Sequence, residues 1–443
     1  MAAECHSRFG FRFQRKLSVD FEGGEITGDA GLVLVREFDE RLGLTGRLRG
    51  AVCDERDRRY VTHDVGDLLR QRIYQIAAGY EDANDATFLR RDPALRAVVR
   101  RNEAPLASQP TLSRLENTVG WESIRRLELE GAEWFCRHVA RPTAQEIVLD
   151  IDSTEDPTHG QQQLAFYSGF YGGYMYHPIL VFEGESGVLL GSRLRPGDVG
   201  GTRGLLALLR PLVSKLRRRF ARSAIALRGD GDFAKPNLLD FAEYACCLYA
   251  FGMPRNPVLE RHVEKLRERA EAIFQRTGKR TRLYTSFFHK TRSWSSPRRI
   301  LAKVERTSEG HNLRFVVTNR NGSAQEIFTW YEQRGQAENF IKDLKRDLAA
   351  DRLSCSSFRA NAFRLQFHAV AYNLLLFFRH HLLRGTELAT ATLGTLRLRL
   401  LKIGARVRAS CRKLWFHLST GWPGRPLFLQ VLHRLDQIPV PTG

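Results

Sequence analysis

No pair of cysteines in this sequence is spaced to grip a metal. The 443 residues hold seven, Cys5, Cys53, Cys136, Cys246, Cys247, Cys355 and Cys411. None forms C-x-x-C or stands beside a spaced histidine pair, which argues against a structural zinc site and a disulfide framework. The thiols read as small core residues of a protein kept in a reducing compartment. Long apolar runs are missing too. The longest, "AVAYNLLLFF", has ten residues, about half of what crosses a bilayer. The opening "MAAECHSRFGFRFQRK" lacks the apolar stretch of a signal peptide. A soluble chain that stays where it is made is expected. Internal repeats and low-complexity tracts are absent. Acidic charge is short as well, with 49 Asp plus Glu against 69 Lys plus Arg.

What is present is positive charge on a globular composition. Hydrophobic residues make up 43% and aromatic residues 10%, enough to build cores rather than a disordered chain. At this length the chain should divide into two to four structural units. The net charge of +20 calls for a polyanionic partner, nucleic acid first. The excess is uneven: from Asn339 to Gly443 there are 17 Lys plus Arg and 5 Asp plus Glu, a net of +12.

Hydrophobic spacing supplies an element order. Residues 1 to about 140 read as helices, among them "DAGLVLVREFDERLGL" and "THDVGDLLRQRIYQIAAGY". From "QEIVLDID" onward strands appear: "YGGYMYHPILVFEG" and "GVLLGSRLRPG" follow as one strand each. Then come the helix "TRGLLALLRPLVSKLRRRF", which Pro211 should end or kink, the strand "SAIALRGD", the helix "KPNLLDFAEYA" and the strand "CCLYAFGM". Three strands, helix, strand, helix, strand predicts a mixed sheet with helical cover. A charged helix and three strand-like segments after Asn256 read as an insertion. A long apolar helix, "NAFRLQFHAVAYNLLLFFRHHLL", and a tail alternating basic and apolar residues close the chain.

Two of these strands end in acid. The first offers Asp150 and Asp152 on one face, since strand period is two. The other offers Asp230, with Asp232 two further on. Carboxylates at strand ends in an α/β sheet lie where sites form. Three of them, one from a packed helix, suit Mg²⁺, which needs few carboxylates plus water and phosphate oxygens. Asp156 and His159 in "STEDPTHG" read as loop residues. Singly, a strand-end Asp is as often a turn residue.

The helix that would supply the third acid is "WYEQRGQAENFIKDLK". Tyr331, Arg334, Glu338 and Lys345 stand at offsets 0, 3, 7 and 14, within about 60° of one another at about 100° per residue. Ala337, Ile341, Leu344 and Leu348 form a separate apolar stripe. The plain reading is a solvated face of i,i+4 ion pairs. The sharper one is a catalytic face, to which Lys342 belongs on geometry alone. Trp294, in the Ser- and Arg-rich turn "FFHKTRSWSSPRR", has two readings as well: a cap on a small β-core, or a platform for a displaced base.

With these blocks in view, the sequence resembles the DDE transposases of bacterial insertion sequences, in the branch with the Y-x2-R-x3-E-x6-K signature. Tyr331, Arg334, Glu338 and Lys345 match it at every position. "LDIDSTEDPTHGQQ" is similar to the first-Asp block and marks Asp152; "LRGDGDFA" is similar to the second and marks Asp230. Gly231 and Asp232 depart from that block, which usually has a small residue and then Gly. The likeness also covers "FEGGEITGDAGLVLVREFDERLGL" and "DRLSCSSFRANAFRLQFHAVAYNLL", so it spans nearly the whole chain. It implies an α/β fold, an RNase H-like mixed-sheet core with a β-rich insertion, a helical N-terminal domain and a basic C-terminal tail. The boundaries expected are 1–140 for a helical DNA-binding region, 141–256 and 331–383 for the two parts of the catalytic core, 257–330 for the insertion and 384–443 for the basic C-terminal region.

The resemblance further implies Asp152, Asp230 and Glu338 as catalytic metal ligands. The expected cofactor is two Mg²⁺ ions, with Mn²⁺ able to substitute. Tyr331, Arg334, Lys342, Lys345 and Trp294 are the expected DNA contacts. The reaction implied is cleavage at the ends of an insertion element and joining of the freed 3′-OH to target DNA. Partners are then double-stranded DNA, as terminal inverted repeats and target, and a second copy of the chain on paired ends. The place of action is a bacterial cytoplasm, at the nucleoid. Two other readings stay open: a nuclease of the same core without strand transfer, and an inactive DNA-binding relic.

Overall fold

The run "EIVLDIDS" is a strand because its β-branched and apolar residues suit a pleat covered on both sides. It is central: in the computed structural model, which describes residues 9–99, 104–139 and 145–439, it lies inside an eight-stranded sheet. The strands are β1 (Glu146–Ser153), β2 (Ile179–Glu183), β3 (Leu189–Arg193), β4 (Ala224–Gly229), β5 (Leu248–Met253), β6 (Thr281–His289), β7 (Arg298–Thr307) and β8 (Gly310–Thr318). Their spatial order is β6-β7-β8-β5-β4-β1-β2-β3. β4 runs parallel to both β1 and β5, while β2 and β3 return antiparallel. The sub-order β3-β2-β1-β4-β5 is the RNase H-like arrangement expected, and β8 extends it by pairing antiparallel with β5. The strands expected as an insertion therefore continue the same sheet.

Helices α1 (Leu205–Arg219), α2 (Pro236–Tyr244), α3 (Pro257–His262), α4 (Glu264–Thr277), α5 (Ala324–Glu332), α6 (Gln336–Lys342) and α7 (Phe358–Leu382) accompany the sheet. α7 joins its edge through buried polar side chains. Asn373 bonds both the N–H and the carbonyl of Leu189, and the Tyr372 hydroxyl donates to Gly187. α6 packs through Phe340, whose ring lies 5.6 Å from that of Phe182 on β2.

Several local expectations are corrected. Pro211 neither ends nor breaks α1, which runs through it to Arg219. Leu208, Leu209, Leu212, Val213 and Leu216 are buried on either side of it, and that packing outweighs one lost backbone bond. "YGGYMYHPILVFEG" is two strands, not one. Gly173–Tyr176 belongs to a small separate sheet, and β2 starts after His177-Pro178. Proline cannot donate to a ladder, so the strand resumes beyond it. Asp156 is not a loop residue: it pairs with Tyr176 in the small sheet and is buried. Of the described cysteines only Cys136 and Cys247 are buried; Cys53, Cys246 and Cys411 are exposed.

Contacts divide the chain into two units. One holds the described residues of 51–53 and 116–376, and so all of the central sheet. The other holds those of 1–50, 54–115 and 377–443. In the latter, Leu32–Leu42, Val65–Ala78 and Arg425–Asp436 are helices, and Ile26–Thr27 pairs with Ala405–Ala409. The basic alternation has a simple use there. Ala405 and Val407 face inward, while Arg406 and Arg408 are exposed. Among the described residues no helix is long and apolar enough to cross a membrane.

Candidate active site

Asp152 stands at the carboxyl end of β1, and Asp230 directly follows β4, the adjacent parallel strand. Each spends one oxygen on local backbone. Asp152 Oδ1 accepts from the Ser153 N–H at 2.8 Å, and Asp230 Oδ1 accepts from the Asp232 N–H at 2.9 Å. The second oxygen of each accepts no hydrogen bond among the described residues. Burial pushes the Asp152 carboxyl up to about 6, with the charge of Asp230 adding to it. Burial raises Asp230 too, and the neighbouring Asp232 charge adds to that. These are two under-compensated acids side by side, the condition that a bound cation relieves.

Asp232 does not disturb the turn. Residues Gly231–Phe233 form a 3₁₀ turn capped by Asp230, and the Asp232 side chain is exposed. Nor does the turn depend on glycine at 231: a Cβ there would find its nearest neighbour, Pro254, at 3.5 Å.

Asp150, on the same face of β1, does something else. It is buried and takes a two-pronged bond from Arg228, at 2.6 and 2.7 Å. Arg228 also donates to the Trp330 carbonyl at 2.6 Å, at the last turn of α5. Two guanidinium groups lie over the Trp330 ring, Arg228 at 4.8 Å and Arg320 at 4.0 Å from its centroid. This cluster ties β1, β4 and the signature segment together. Sequence reading missed Arg228 and Trp330; the available signal was an Arg two residues before Asp230, hence on the same face of its strand.

The signature segment is not one straight helix. Tyr331 lies in the last turn of α5, Arg334 sits in a 3₁₀ turn, Glu338 is in α6 and Lys345 is in a π turn, Asp343–Asp347. These changes of winding send the side chains to different partners. The Tyr331 hydroxyl donates to the Gly229 carbonyl at 3.3 Å, next to Asp230. Gly252 makes room for it, since a Cβ there would lie 2.8 Å from the Tyr331 oxygen. Burial works against the Arg334 charge, but Tyr331, Asp152 and Asp230 outweigh it and keep the guanidinium charged.

Glu338 is exposed and lines a cleft of about 610 Å³ together with Asp152, Lys342, Lys345, Arg346 and Arg352. Among the described residues no three acidic, His or Cys groups converge into a metal cluster, so the expected three-carboxylate nest is not closed. The strongest opposite charge acting on both Asp152 and Asp230 is that of Arg334, on the same segment as Glu338. The donor set still fits Mg²⁺, which takes one or two carboxylates and leaves its other positions to water and phosphate. Lys345 is engaged: its ammonium contacts Glu155 at 2.6 Å and Thr154 at 3.3 Å. Lys342 is exposed and makes no ion pair among the described residues.

Trp294 is not brought to this cleft. It is 5% exposed, with Arg298 over its ring at 5.3 Å and the His289 ring edge-on at 6.2 Å. Arg298 is itself held by Asp240 and Glu243. The face expected to receive a base is covered, so the reading as a cap on the β-core accounts for this residue.

Known proteins agree with this picture at the level of family. No curated protein matches the chain at a significant level. Among solved structures the chain is similar to a piggyBac transposase in a synaptic complex with hairpin DNA. Identity is 10% and the TM-score 0.44, over 89% of this chain and 82% of that one. The profile of one family, described as transposase DDE domain group 1, matches residues 9–440. A match over almost the entire sequence makes this chain a member of the transposase DDE domain group 1 family.

Proposed function

We propose that this transposase cuts DNA at the ends of its element and joins the freed 3′-OH to target DNA, with Asp152, Asp230 and Glu338 holding divalent metal. The observation that carries the reading is the pair of adjacent strand-end acids, each with an unengaged oxygen, facing Arg334, with Asp152 at the wall of a cleft that Glu338, Lys342, Lys345, Arg346 and Arg352 also line. Mg²⁺ bound there would activate the attacking oxygen and stabilise the leaving one. The chain's own groups do the rest. Asp152 and Asp230 are the fixed ligands on the sheet. Glu338 closes the set from the cleft wall. Arg334 balances the charge of the two acids. Lys342 and Lys345 hold phosphates along the cleft, Lys345 by exchanging Glu155 for a DNA oxygen. Tyr331 positions the turn that carries Asp230. The partners are double-stranded end and target DNA, with a second copy of the chain on paired ends, in a bacterial cytoplasm.

The reaction is tested with purified protein, Mg²⁺, labelled end DNA taken from the sequence flanking the gene, and a supercoiled plasmid. Label covalently joined to plasmid is the expected product. Cut ends without joined product would leave a nuclease. Neither, from folded protein that binds the ends, would leave a DNA-binding relic.

A further inference from the structure

Between β1 and β2 the chain builds a small sheet from Asp156–Pro157, Phe166–Ser168 and Gly173–Tyr176. It begins three residues after Ser153 and returns at Tyr176, three residues before Ile179, the partner of Ser153 across the β1–β2 ladder. The small sheet therefore rises from the end of β1 that carries Asp152.

Its surface is aromatic. Phe166, Tyr167, Phe170, Tyr171 and Tyr174 all stand among the exposed large side chains, Phe170 with 88% of its surface free. Tyr167 and Tyr174 meet edge to face across the hairpin at 5.6 Å, and Phe170 meets Tyr171 the same way at 4.8 Å. The turn bearing Phe170 and Tyr171 is fixed, since the Gly172 N–H bonds the Ser168 carbonyl at 2.8 Å. Tyr171 faces the catalytic end. Its ring lies 6.1 Å from that of His177. Burial raises its phenol, and the charges of Glu155, Asp152, Asp232 and Asp230 reach it and raise it further.

A tip of aromatic rings beside paired acids, next to a cleft where Lys342, Lys345 and Arg346 stand among Glu155, Glu338 and Asp351, combines two kinds of recognition. The cations suit phosphates. The ring faces suit bases, and only bases out of the helix, because a duplex presents phosphates and groove edges rather than base faces. We propose that Phe170 and Tyr171 form a stacking platform for bases unpaired next to the phosphodiester held at Asp152 and Asp230. The proposal rests on the reading of these acids as a DNA-cutting site, and its test does not require cutting.

The test is fluorescence anisotropy of the full chain with oligothymidylate and, separately, a fully paired duplex, over a series of salt concentrations. Phe170→Ala/Tyr171→Ala should weaken oligothymidylate binding by about tenfold or more. Duplex affinity and the salt slope should not change, since no phosphate contact is lost. Phe170→Leu/Tyr171→Leu keeps apolar bulk without rings and should show the same loss; its melting temperature guards against misfolding. Unchanged oligothymidylate affinity in both variants overturns the platform. So does an equal loss on both probes with a shallower salt slope, which would assign phosphate contacts. A smaller oligomer by sedimentation, with DNA affinity intact, also overturns it, because the rings would then meet a second copy. If the wild type shows the ring-dependent binding yet cuts no end DNA, the platform stands and the cutting function fails.

Discussion

Asp150 and Asp152 stand two residues apart on one face of β1, yet their surroundings give them opposite work. Asp150 is fully engaged by Arg228; Asp152 keeps an oxygen free and is pushed up to about 6. Replacing Asp150 with Asn leaves the Arg228 guanidinium buried without a counter-charge. Asp150→Asn should cost about 3–5 kcal/mol of stability, read as a lower midpoint in urea unfolding. The fraction still folded should cut DNA with the wild-type metal requirement. A variant as stable as wild type would show the pair to be dispensable. Sequence alone placed both acids at the strand end, and the family blocks chose Asp152. What it did not contain was the cross-strand partner, because Arg228 reaches Asp150 only once β1 and β4 pair in register, Arg228 opposite Asp150. Trp294 failed for a related reason: an aromatic in a polar turn looks exposed until Arg298 folds over it.

Among the elements, the order of strands and helices through the core was legible, since each carries its own period and its own turn residues. Changes of winding were not. The signature segment passes from α5 through a 3₁₀ turn to α6 and a π turn, and a helical wheel assumes one constant rotation. The small aromatic sheet was lost for want of length, its strands having two to four residues. α7 offers a pH test. Near its end, burial drives His380 down to about 4, with Arg379 and His381 adding like charge. The unfolded chain takes up this proton near the ordinary value of about 6.5, the folded one only near 4. The stability it supports is whole above 6.5 and is lost as pH falls through 4, a swing of about 3 kcal/mol. Thermal melts from pH 7 to pH 4 should show wild type losing more stability than His380→Gln. Parallel curves for the two would remove His380 as the cause.

For the whole molecule, the charge of +20 was the first indication of a polyanionic partner, and the family match agrees with it. The basic C-terminal stretch is folded into strands and a helix, so its charge is arrayed: Arg406 and Arg408 project from one face of a strand. Binding to end DNA should weaken steeply with salt. Replacing Arg406, Arg408, Arg412 and Lys413 with Ala should flatten the log–log slope by about 0.9 for each phosphate contact removed. An unchanged slope would mean that this face does not meet DNA. The central claim is that three carboxylates, two fixed on the sheet and one on the cleft wall, make the cutting site. Its most direct test is end-DNA cleavage in Mg²⁺ by wild type, Asp152→Asn, Asp230→Asn and Glu338→Gln, with DNA binding measured in parallel. Each substitution keeps shape and removes one ligand charge, so each should abolish cleavage while binding stays within about twofold. Near-wild-type cleavage by any one of the three would contradict the account at that residue, and by Asp152→Asn and Asp230→Asn together would contradict it altogether.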